Sequence, residues 1–374
     1  MTAQVDFEKL AQPGLQRLRA YDPGHDLVAL RRRFAAGQLI ELGSNENPYG
    51  PSPRVRAAIL DALPAIHRYP DPLGGDLKRA LASKHGVTPD QILLGNGSHE
   101  LLMQFAQVFA GPGVDVVVSQ YGFAVYALAA QGAGAMLRIA DALSRHHAMA
   151  YGHDLDAIAV AITATTRVVY LANPNNPTGT WFGAGAFAAF MAQVPGDVLV
   201  VVDEAYAELA DATQVQSALP LLARYPNLIV TRTFSKAYAL AGLRIGYAVA
   251  HPQLIAVMER VRESFNVSSI GLAAAEAALG DDVHLQSVRG RNAEQRRLLA
   301  EALRARSLFV FPSQTNFLLV EFGPDTPDIE TALIARGVVL RPMAGYGLPE
   351  CLRITVGDAR ENLRLLEALA ETSP

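Results

Sequence analysis

The apolar positions of this chain come in two textures. Between residues 91 and 250 they form short runs, apolar throughout apart from polar residues at their ends, at 91–94, 115–119, 167–172, 197–202, 228–231 and 245–250. A run that is apolar at every position belongs to a strand buried on both faces, and helical patterns separate most of these runs. The expected architecture is α/β, a mainly parallel sheet covered by helices. From about residue 281 the pattern changes to a long amphipathic helix over 281–306, strands at 308–311, 316–322, 338–341 and 352–356, a helix over 326–336 and a terminal helix. This reads as a smaller α+β domain. At the other end, a helix-like segment precedes a short strand at 39–42. The expected division is an N-terminal segment (1–44) packing with the small domain, a large domain (45–280) and a small C-terminal domain (281–374), so that the small domain draws on both chain ends.

Ligands of such sheets bind outside the carboxyl ends of the strands, and the polar motifs fall there. Gly95-Asn96-Gly97-Ser98 joins a strand to a helix beginning near His99. A glycine-rich turn of this kind offers free backbone N–H groups and a positive helix end to a phosphate, although it matches neither the dinucleotide fingerprint nor a P-loop. Later strands deliver Tyr121, then Asn173-Pro174-Asn175-Asn176-Pro177-Thr178-Gly179, then Asp203-Glu204-Ala205-Tyr206. The run at 228–231 leads to Thr233, Ser235 and Lys236, with Arg244 eight residues on.

A lysine flanked by hydroxyls and an arginine is what a Schiff-base lysine beside a phosphate needs, as in pyridoxal phosphate chemistry. A Ser-Lys pair alone is common at strand ends. Asp203 closes a run of valines, where a carboxylate is costly unless paired with a cationic donor such as a protonated pyridine nitrogen; a helix-cap aspartate is the other reading. Tyr206 and the Asn176 amide can reach a phenolic oxygen on the same ring, and Tyr121 offers an aromatic face.

Composition narrows the field further. A net charge of −4 and a pI near 6.1 give no electrostatic argument for nucleic acid or an anionic membrane. The single cysteine, Cys351, excludes an internal disulfide framework. No secretory h-region opens the chain, and no apolar stretch approaches the ~20 residues of a membrane helix. A soluble cytoplasmic protein is expected.

In their order along the chain these motifs, with Arg353 near the end, resemble the fold-type-I pyridoxal-phosphate aminotransferases, from roughly Tyr21 to the last helix. Within that superfamily Ser44-Asn45-Glu46-Asn47-Pro48-Tyr49-Gly50-Pro51, Arg68-Tyr69-Pro70, Ser235-Lys236-Ala237-Tyr238, Phe265-Asn266-Val267 and the 341–349 segment Arg-Pro-Met-Ala-Gly-Tyr-Gly-Leu-Pro resemble the histidinol-phosphate aminotransferase branch. The resemblance implies a transaminase with pyridoxal 5′-phosphate as cofactor. Lys236 would be the Schiff-base lysine and proton carrier, Asp203 the partner of the pyridine nitrogen, and Asn176 and Tyr206 the partners of the phenolic oxygen. Tyr121 would cover the ring. Backbone N–H groups at Ser98 and His99, with Thr233, Ser235 and Arg244, would hold the phosphate.

The resemblance further implies a homodimer in which Tyr69 reaches the neighbouring subunit's site, and substrate contacts from Arg341, Arg353 and Tyr21. Histidinol phosphate and 2-oxoglutarate are the expected substrates. An aromatic or other amino-acid aminotransferase and a lyase or decarboxylase of the threonine-phosphate type are the alternatives. A related transcription regulator is not expected, since the stretch ahead of Tyr21 is too short for its DNA-binding module. Two departures stand out. His99 replaces an acidic or asparagine residue, and its ring could become cationic beside a dianion; Ala207 replaces a common aromatic.

Overall fold

A computed structural model describes residues 5–11, 14–16, 18, 24–35 and 37–372. Its strands, in chain order, are β1 (Ile40–Glu41), β2 (Ile92–Gly95), β3 (Asp115–Ser119), β4 (Met136–Ala140), β5 (Thr166–Ala172), β6 (Leu199–Asp203), β7 (Leu228–Thr233), β8 (Gly246–Val249), β9 (Phe309–Val310), β10 (Phe317–Glu321), β11 (Val338–Val339), β12 (Arg341–Pro342) and β13 (Cys351–Thr355). Seven of them form one sheet in the order β2-β8-β7-β6-β5-β3-β4. The β4-β3-β5-β6-β7 ladder is parallel, and β8 runs antiparallel to both its neighbours.

Successive residues of the central strands enter different cores. Val117, Val169, Leu171, Val200, Val202 and Val230 pack into one, while Val116, Val118, Val168, Tyr170, Val201 and Ile229 pack into the other. The unbroken apolar runs are therefore the mark of a mainly parallel sheet sandwiched between helices. The expected strand at 197–202 begins two residues later, because Asp197 is used in the preceding turn, 3.4 Å from Arg167. The strand then ends on Asp203 itself. β4 escaped the apolar-run criterion: it is an edge strand, exposed at Met136 and Ile139, and backbone pairing with β3 holds it.

The remaining strands make a four-stranded antiparallel sheet, β12-β13-β10-β9, and a parallel pair, β1-β11. Ile40 and Glu41 pair with Val338 and Val339, so the N-terminal strand joins the C-terminal elements. The single strand expected at 338–341 splits: Val338 and Val339 face β1, while Arg341 and Pro342 turn onto β13. Among the described residues no helix is long and apolar enough to cross a membrane.

Candidate active site

The carboxyl ends of β5, β6 and β7 open on a cavity of about 340 Å³, closed from the other side by the 43–46 loop and by Arg341 and Arg353 of the small sheet. Asp203 sits on its floor, 6% exposed. Its carboxylate accepts from the Tyr126 hydroxyl (3.1 Å), the Thr231 hydroxyl (3.2 Å) and the Ala205 backbone N–H (3.2 Å). All three donors are neutral, and among the described residues no Lys or Arg forms an ion pair with it. Burial raises its pKa to about 6 against these lowering hydrogen bonds.

Lys236 projects into the same cavity, its Nζ donating to the carbonyls of Ser44 (3.3 Å) and Asn45 (3.1 Å). Crowding by protein around the amine, then the Arg353 charge, bring its pKa down to about 8, with Glu46 opposing and Arg244 assisting. A lysine in this range carries a useful fraction of neutral, nucleophilic amine near pH 7. Tyr206 is 4% exposed and lies edge-on to Phe317 (5.3 Å between centroids). Burial raises its hydroxyl to about 12, so it stays protonated.

A second corner of the cavity is built for an anion. The helix Ser98–Phe109 buries Leu101, Leu102, Phe105 and Ala106 in the core, which presents its first turn to the cavity. Beside it Thr233 donates to the Ser235 hydroxyl (2.9 Å), and Arg244 Nη1 reaches the same oxygen (3.3 Å). Gly97, at φ +78°, backs the Arg244 guanidinium so closely that a Cβ there would lie 2.3 Å from Nη2. A side chain at this position would fill the cradle. His99 is open to solvent here, but packing around its ring and the Arg244 charge lower its pKa. Both neighbours act on the ring in the absence of the phosphate dianion beside which a cationic ring is expected.

The third corner holds two guanidinium groups. Arg341 of β12 and Arg353 of β13 are register partners, which places their side chains on one face of the sheet, and both line the cavity. Arg353 is buried, donates to Asn176 Oδ1 (2.7 Å) and the Gly43 carbonyl (2.8 Å), and lies 5.2 Å over the Phe317 ring. Arg341 packs under Gly24, where φ is +90° and a Cβ would meet Nη1 at 2.3 Å. Like charges directly opposed on a sheet are destabilising by themselves. An anion between them reverses the sign.

The fold thus brings together Ser98, His99, Asn176, Asp203, Tyr206, Thr233, Ser235, Lys236, Arg244, Arg341 and Arg353. Two expected residues stand apart. Tyr121 packs against Tyr151 (centroids 4.7 Å apart), and the aromatic ring lining the cavity from this loop is Phe123. Both follow β3, and the helix that starts at Ala124 turns position 123 inward. Tyr69 is 82% exposed, stacked on Phe265 at 4.5 Å, away from this chain's own cavity. Tyr21 lies outside the described residues. Tyr126, Thr231, Asn45 and Glu46 were not singled out from the sequence, although each touches or faces the reacting groups. Only the shared motif at 44–51 carried a local signal for the last two.

These features fit pyridoxal phosphate group by group: a buried carboxylate without a cationic partner among the described residues for the pyridinium, a helix end with hydroxyls and an arginine for the phosphate, and an amine for the aldehyde.

Residues 37–369 match the model of the family described as Aminotransferase class I and II. The chain is 46% identical over 368 residues, 98% of each chain, to a Pseudomonas aeruginosa protein named histidinol-phosphate aminotransferase 2. It is 46% identical over 370 residues, again 98% of each, to histidinol-phosphate aminotransferase 1 of Nitrosococcus oceani. Among solved structures, the histidinol-phosphate aminotransferase of Sinorhizobium meliloti in complex with pyridoxal-5′-phosphate superposes with a TM-score of 0.86 at 33% identity, covering 97% of each chain. A Thermus thermophilus aspartate aminotransferase mutant shares the fold at 24% identity, with a TM-score of 0.84 over 97% of this chain and 99% of its own.

Proposed function

The chain belongs to the class I and II aminotransferase family, with pyridoxal 5′-phosphate as cofactor, and we propose that it transfers the amino group of L-histidinol phosphate to 2-oxoglutarate. The products are imidazole acetol phosphate and glutamate, a step of histidine biosynthesis. The names of the similar proteins support this reading, and the opposed pair Arg341 and Arg353 carries it. One substrate bears a phosphate and the other two carboxylates, so a single site must take different anions in its two half-reactions. Two guanidinium groups on one sheet face can share a dianion, each charge-assisted bond contributing roughly 1.5–3 kcal/mol.

Bound pyridoxal phosphate supplies an aldehyde and an electron-withdrawing ring. Around it, Lys236 Nζ would be the amine that meets that aldehyde and the base that would carry the proton at the substrate Cα. Asp203 would hold the proton on the pyridine nitrogen. Asn176 and Tyr206 would face the phenolic oxygen; Asn176 Oδ1 accepts from Arg353, which would leave its Nδ2 for the ring. Ser98 and His99 N–H groups, Thr233, Ser235 and Arg244 would hold the phosphate, and Phe123 or Tyr121 would shield a ring face.

The exposed Tyr69–Phe265 stack supports a homodimer in which Tyr69 completes the partner's site. The β1–β11 pairing supports a small domain drawn from 1–44 and 281–374 around the large domain 45–280. The reading also places Tyr21 at the substrate and the protein in the cytoplasm. Steady-state kinetics of Arg341→Ala tests the substrate assignment. KM should rise at least ten-fold more for histidinol phosphate than for phenylalanine. Equal losses, or a wild-type enzyme that turns over phenylalanine and ignores histidinol phosphate, would favour an amino-acid aminotransferase. Sedimentation of the wild type, with cofactor retention in Tyr69→Phe, tests the dimer.

A further inference from the structure

Asn45 is 2% exposed and adopts φ +54°, a left-handed conformation that asparagine tolerates better than other residues with a Cβ. Every polar group it owns is engaged at the site. Its backbone N–H donates to Thr355 Oγ1 (2.9 Å), and its carbonyl accepts from Lys236 Nζ (3.1 Å) and Asn316 Nδ2 (3.0 Å). Its side-chain Oδ1 accepts from the Thr355 hydroxyl (3.4 Å), and its Nδ2 donates to the Tyr206 oxygen (3.0 Å).

The direction of that last bond follows from counting donors. Thr355 Oγ1 receives the Asn45 N–H, so its own hydrogen is free for Oδ1, and the amide is oriented with Nδ2 toward Tyr206. A tyrosine hydroxyl has one hydrogen and two lone pairs. With a lone pair filled by Asn45, the Tyr206 hydrogen points elsewhere, and Tyr206 itself lines the cavity. Thr355 lies two residues beyond Arg353 on β13, so the same residue also ties the arginine-bearing strand to Lys236 and Tyr206.

We infer that Asn45 is a positioning residue that makes Tyr206 a hydrogen-bond donor to the cofactor's phenolic oxygen. This rests on the reading that Tyr206 faces that oxygen. A donor to the phenolic oxygen competes for the charge that otherwise holds a proton on the lysine–cofactor nitrogen, so it lowers the pH at which that nitrogen loses its proton.

The test is the pH midpoint of the visible absorbance change of the cofactor-loaded enzyme, measured for wild type, Tyr206→Phe, Asn45→Asp and Asn45→Gly. Asn45→Asp is isosteric, keeps the acceptor for Thr355 and tolerates the left-handed backbone, but cannot donate to Tyr206. Its midpoint should rise by about one pH unit, as should that of Tyr206→Phe. Asn45→Gly, which suits φ +54° and serves if the buried aspartate unfolds the protein, should rise likewise. Combining Asn45→Gly with Tyr206→Phe should add nothing to Tyr206→Phe alone, and kcat should fall about ten-fold with little change in KM. A shifted Tyr206→Phe beside wild-type midpoints in both Asn45 variants overturns the role of Asn45. An unshifted Tyr206→Phe overturns the placement of Tyr206 and the inference with it.

Discussion

Asp203 and Glu204 are neighbours, both carboxylates, 6% and 1% exposed, and their surroundings are opposite in kind. Glu204 lies on the far side of the β6 terminus from the cavity. There it accepts from Arg232 Nη2 (2.7 Å) and Nε (3.1 Å), the Ser217 hydroxyl (2.7 Å) and the Ala218 N–H (2.6 Å). Arg232 also reaches Glu208 at 3.0 Å. Burial pulls the Arg232 pKa down, but Glu204 and Glu208 hold it above its ordinary value. Among the described residues, the donors to Asp203 are all neutral. A charge neutralised within the chain has little left to offer a ligand, whereas a charge solvated by neutral dipoles keeps its affinity for a cation. Strand alternation sorts the two sets: Thr231 and Thr233 of β7 face Asp203 and the cavity, and Arg232 between them faces Glu204.

The largest effect should come from Lys236, which lines the cavity with Asp203. Lys236→Ala should lower transamination by on the order of 10⁴-fold while retaining cofactor through the phosphate cradle. Turnover near wild type would remove Lys236 from the mechanism. On the other side of β6, Glu204→Gln leaves Arg232 with one carboxylate partner of its two. Urea unfolding should show a loss of about 3–5 kcal/mol, equal with and without cofactor. An unchanged midpoint would mean that the network does not hold the strand ends.

Asp203→Asn should separate stability from activity. Turnover should fall on the order of 10²-fold, since a neutral amide no longer keeps the pyridine nitrogen protonated. Stability of the cofactor-free protein should move the other way. Because burial raises the carboxyl from 3.8 to about 6 on folding, its contribution is fully present below its unfolded pKa and is lost as pH rises through about 6. The amide has no such loss. The variant's Tm advantage should therefore be absent near pH 3.5, open between about pH 4 and 6 and level off above. A pH-independent difference would show that the carboxyl does not titrate in this range. Tyr126→Phe should be the mildest change, removing one donor from Asp203 at about 1 kcal/mol and a few-fold in kcat.

The parts of the site that were legible in the sequence are those whose neighbours in space are also neighbours in the chain. Thr233, Ser235 and Lys236 follow one strand, Ser98 opens one helix, and Asp203 and Tyr206 lie three residues apart, so local order carried their chemistry. Tyr126 lies in an apolar helix and is separated by 77 residues from the carboxylate it touches. Asn45 is separated by 161 from Tyr206 and by 310 from Thr355. Nothing in their own segments marks these contacts. Tyr121 and Phe123 are two aromatics on one loop, and which of them turns inward depends on where the next helix starts.

Periodicity and motif order were enough to set the parallel sheet, the small sheet that follows it and the cofactor chemistry, because apolar runs and strand-end motifs express short-range physics. Three matters were decided only by the tertiary structure. One was the antiparallel β8 together with the unmarked edge strand β4, which are choices of pairing partner. Another was the split of the 338–341 run between two sheets, which brings Arg341 opposite Arg353. The last was the sorting of buried charges into compensated and uncompensated ones. A sequence shows which groups are costly to bury, but the compensation comes from donors tens to hundreds of residues away, and only packing determines whether they arrive.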